Sequence, residues 1–96
     1  MLADEVDEVV TGLRTLGLVA TARRTSVNRV CVRVALPSGA EALWDTDGAL
    51  GLEAQIMANG MLVGFVPHIP GSEGFDIEQT CRAIATADYG RHAHAH

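Results

Sequence analysis

Four histidines, two cysteines and one glycine-rich loop hold most of what this chain could use for chemistry. His68 stands between Pro67 and Pro70, just ahead of Gly71-Ser72-Glu73-Gly74. In such a setting an imidazole can act as general acid or base, which makes His68, Ser72 and Glu73 the candidate site for a small ligand or a small enzyme. No partner is tied to His68 by spacing, since Glu73, Asp76 and Cys81 neighbour it only along the chain. A solvent-facing histidine in a proline-bounded turn accounts for the same residues. The loop also precedes a helix start, where backbone N–H groups can hold an anion. It lacks the lysine and glycine spacing of a phosphate loop, and Asp76 would repel the anion.

The remaining histidines, His92, His94 and His96, alternate at the end of the chain. Alternate histidines can bind a divalent ion weakly, but nothing rigid would orient them. They read as a tag or a disordered tail over residues 91–96, and no metal site is assigned. Cys31 and Cys81 form neither a CxxC nor a zinc-ligand pattern and read as reduced packing residues. Asp45-Thr46-Asp47-Gly48 opens like a calcium loop, yet Glu53 falls too early to close one, so it reads as a turn. No GxSxG or HExxH motif occurs, no cofactor is called for, and the balance of these signals leans away from an enzyme.

Positive charge concentrates at Arg23, Arg24, Arg29 and Arg33, which could contact phosphates or an acidic partner. Against that stands a net charge of −5. Sequence-independent nucleic-acid binding needs many cations, so weak nucleic-acid binding ranks last among the functions considered. All seven basic residues are arginine, and alanine, valine and glycine are abundant. That bias fits a GC-rich coding sequence of the kind found in phages and plasmids.

The elements that must position these residues follow from periodicity. Leu2, Val6, Val9, Val10, Leu13 and Leu16 form one stripe of a helix running from about Ala3 to Leu16, with acidic residues in its first turn. Residues Leu18 to Ala22 read as a short strand or an extended connection, and Arg23-Arg24-Thr25-Ser26 reads as a polar turn. From Asn28 to Leu36 apolar residues alternate strictly, which is the period of a strand. Pro37-Ser38-Gly39 suits a three-residue hairpin loop that would set Val34 against Ala42, Val32 against Trp44 and Arg33 against Leu43. Asp47-Gly48 marks a further turn. Leu52 to Ala58 and Met61 to Val66 flank Asn59-Gly60, the strongest short hairpin signal, although a helix over Leu50 to Ala58 competes. A last helix starts at Asp76, with Gln79 completing a capping box. Ile77, Cys81 and Ile84 make its stripe, supported by Ala83, Ala87 and Tyr89, and Gly90 stops it.

These elements predict a single α+β domain over residues 1–90: an antiparallel meander of four to five strands, with an N-terminal and a C-terminal helix packed on one face. With 96 residues, 48% of them hydrophobic, the core is adequate but thin. No apolar run approaches the ~18 residues of a membrane span, and Met1-Leu2-Ala3-Asp4-Glu5 is acidic where a signal peptide is basic, so the expected location is cytoplasmic. The other sheet face would carry Arg29, Cys31 and Arg33, then Glu53 and Gln55, then Met57, Leu62 and Val66. Met57, Leu62 and Val66 are more apolar than a solvated face requires. The reading that follows is a small interaction module, a homodimer or an adaptor, that meets a protein partner through Met57, Leu62, Val66, Arg29 and Arg33.

Overall fold

The computed structural model describes residues 1–26, 29–46, 51–87 and 89. In chain order these form α1 (Ala3–Thr15), β1 (Ala20–Ser26), β2 (Arg29–Ala35), β3 (Glu41–Thr46), β4 (Leu52–Ala58), β5 (Met61–Val66), one turn of 3-10 helix at Ser72–Gly74, and α2 (Ile77–Thr86). The five strands make one antiparallel sheet in the order β1-β2-β3-β4-β5, and the two helices complete an α+β fold. No helix among the described residues is long and apolar enough to cross a membrane.

Each connection follows from local chemistry. Beyond Leu16, Gly17 N–H donates to the Arg14 carbonyl and Leu18 N–H to the Leu13 carbonyl, both at 3.0 Å, which closes α1. The Pro37–Gly39 loop forms as its residues predict, with Leu36 N–H on the Ala40 carbonyl at 2.9 Å and the strand pairs Val34–Ala42, Val32–Trp44 and Arg33–Leu43. Asn59 and Gly60 both take positive φ, 53° and 78°, so Leu52–Ala58 is a strand and the competing helix is excluded. Asp76 caps α2: its carboxylate accepts from Gln79 N–H at 2.8 Å, and the Gln79 side chain accepts from Asp76 N–H at 3.0 Å.

One core lies between the helices and the sheet. Val6, Val9 and Leu13 of α1 and Cys81 and Ile84 of α2 pack with Val32, Val34, Ala42, Trp44, Leu52, Ala54 and Ile56 of the sheet. Gly12 permits the helices to approach, since a Cβ there would lie 2.6 Å from Cys81 Sγ. Trp44 is fully buried, and its indole N–H donates to Tyr89 Oη at 3.1 Å; that hydroxyl donates to the Ile84 carbonyl at 2.9 Å.

Four expectations are corrected. Arg23–Ser26 is not a turn but the second half of β1, because the ladder to β2 continues through Arg23–Cys31 and Arg24–Val30. Leu2 and Leu16 leave the α1 stripe and are exposed, since the core ends at Leu13. The last helix ends at Thr86, and Tyr89 returns to the core from beyond it. Val66 belongs to the covered face and is 8% exposed. The expected turn at Asp47-Gly48, the stop at Gly90 and the tail with His92, His94 and His96 lie outside the described residues.

The error at Val66 has one cause. A two-residue turn with strict alternation would pair Ile56 with Val63, but the ladder runs Met57–Leu62 and then Ile56–Gly64. Val63 is therefore an extra residue in β5, a β-bulge, and everything beyond it changes face. Phe65, opposite Gln55, joins the open face, while Val66, opposite Ala54, enters the core.

Candidate interaction surface

The face of the sheet turned away from the helices divides into a charged half and an apolar half. On β1 to β3, Arg23 and Arg33 both bind the Glu41 carboxylate, and Arg29 binds Asp45 at 2.8 Å. The N-terminal ammonium of Met1 also binds Asp45. Arg33 beside Glu41, assisted by Arg23, holds that carboxyl below its ordinary range against the opposing effect of partial burial. Burial raises Asp45, but the hydrogen bonds from the terminal ammonium and Arg29 outweigh it, so the net direction is down.

The structure thus gives three of the four clustered arginines a carboxylate partner. Arg23, Arg29 and Arg33 are engaged by carboxylates, and Arg24 alternates to the opposite side of β1 with Val30 as its partner. A hollow of about 320 Å³ lies among Thr25, Arg29, Cys31, Asp45, Glu53 and Gln55. The Cys31 thiol at its floor is 2% exposed. Burial, then the charge of Asp45, pushes its pKa up, which keeps it protonated and a poor nucleophile.

Towards β4 and β5 the charges give way. Met57 is half-buried, while Leu62 is 49% and Phe65 58% exposed on the same face. Met61 and Val63 are exposed beside them. The whole of β5, Met-Leu-Val-Gly-Phe-Val, carries no charge and no proline. It is also the last strand of the sheet, so one of its edges has no neighbouring strand among the described residues. Of the residues expected to form the interaction surface, Met57 and Leu62 lie here, Arg29 and Arg33 lie in the ion-paired half, and Val66 lies in the core. Phe65 was missed; Gly64 within an otherwise apolar strand was the signal that could have found it, because an internal strand glycine often marks a bulge.

Of the candidate ligand residues, Ser72 has a structural role and His68 lies apart from the hollow that Ser72 and Glu73 line. Ser72 is buried, and its hydroxyl accepts from Leu52 N–H at 2.7 Å while donating to the Ile69 carbonyl at 2.5 Å. Gly51 must be glycine for this clamp: its φ is 89°, and a Cβ would lie 2.3 Å from Ser72 Oγ. Ser72 thus ties the β5–α2 connection to the start of β4. A small hollow of about 140 Å³ is lined by Ser72 and Glu73 but not by His68, which is exposed. Among the described residues, no three His, Cys, Asp or Glu side chains gather closely enough to hold a metal ion.

No protein-family model matches the chain, and no curated protein or solved structure is significantly similar to it.

Proposed function

We propose that this chain is a small, non-enzymatic interaction module that binds a polypeptide at the β5 end of its sheet. The observation that carries this reading is the coincidence of an open sheet edge with an uncharged apolar strand. Met61, Leu62, Val63 and Phe65 are all exposed there. Natural sheets normally blunt such an edge with charge or proline, and β1 does so with Arg23 and Arg24. Strand addition to an open edge is a recurring mode of polypeptide recognition: main-chain hydrogen bonds supply affinity and alternate side chains supply selectivity.

The two thiols support a reducing, cytoplasmic setting for this activity. Cys31 sits on the open face and Cys81 between the helices, both free and buried, each with its pKa raised by burial.

The test is affinity capture from nuclease-treated native lysate, with bait at nanomolar concentration and an N- or C-terminal tag not based on histidine. A protein recovered in stoichiometric amount with the wild type should disappear with Phe65→Asp, whose side chain is exposed and whose fold should persist. Equal recovery by both baits overturns the assignment to this surface.

A further inference from the structure

We draw no further inference here: the strongest candidate, the hollow of about 320 Å³ on the open face of the sheet above Cys31, carries none, because the positive charges of Arg29 and the Met1 ammonium offset the negative charges of Asp45 and Glu53 and nothing there selects a class of ligand.

Discussion

The two faces of the sheet are built from alternate residues of the same strands, yet they do different work. The covered face holds Val32, Val34, Trp44, Leu52 and Ile56, each at most 2% exposed. The open face holds arginine–carboxylate pairs on three strands and bare apolar side chains on the last. Hydrophobic burial scales with area removed from water, so stability is concentrated on the covered face. The ion pairs on the open side are partly exposed and contribute little, and Phe65 and Leu62, about half exposed, contribute less than the fully buried residues opposite them. The contrast shows that the apolar residues at β5 are only partly used by the core, and the proposed binding edge would give their exposed parts a role.

The largest expected effect breaks the comparison if the faces are equivalent. Trp44→Ala should cost about 3–5 kcal/mol in urea unfolding, through lost burial and the cavity left behind. Phe65→Ala, removing a ring that is 58% exposed on the opposite face, should cost no more than about 1–2 kcal/mol. Comparable losses in the two variants would mean that Phe65 belongs to the fold. Next in size is Gly12→Val, which pushes a side chain into the α1–α2 contact beside Cys81 Sγ. Overpacking of this kind should cost about 1–3 kcal/mol, visible as a lower melting temperature.

The smallest effect sharpens the view of the charged half. Glu41→Gln should cost at most about 1 kcal/mol at pH 7, because its partners are partly solvated. The depressed carboxyls of Glu41 and Asp45 add stability that is fully present above the ordinary carboxylate pKa of about 4 and is lost as pH falls through their lower folded values. The wild-type advantage over Glu41→Gln should therefore shrink between pH 5 and strong acid, as measured by urea midpoints across that range. A gap that stays constant with pH would show that the Arg23–Glu41–Arg33 group adds nothing through charge.

Much of the scaffold was legible because its signals are local. The Asn59-Gly60 turn, the Pro37–Gly39 loop, the Asp76–Gln79 cap and the alternation in β2 each depend on a few neighbouring residues, and each forms as read. The candidate ligand residues were a different matter. Ser72 stands beside Glu73 in sequence, but a hydroxyl's role depends on which backbone groups the tertiary fold brings to it, here those of Leu52 and Ile69.

By itself, then, the sequence determined the order and type of nearly every described element, the hairpin registers near the turns, and the apolar stripes that give a two-layer α+β domain. Tertiary structure decided what lay beyond those local rules. It drew Arg23 and Arg24 into a strand, since a ladder to β2 satisfies their backbone groups regardless of polar side chains. It paired three arginines with two carboxylates from another strand. Through one extra residue at Val63 it exchanged the faces of Phe65 and Val66, because a strand's side chains have period two and a single insertion inverts everything beyond it.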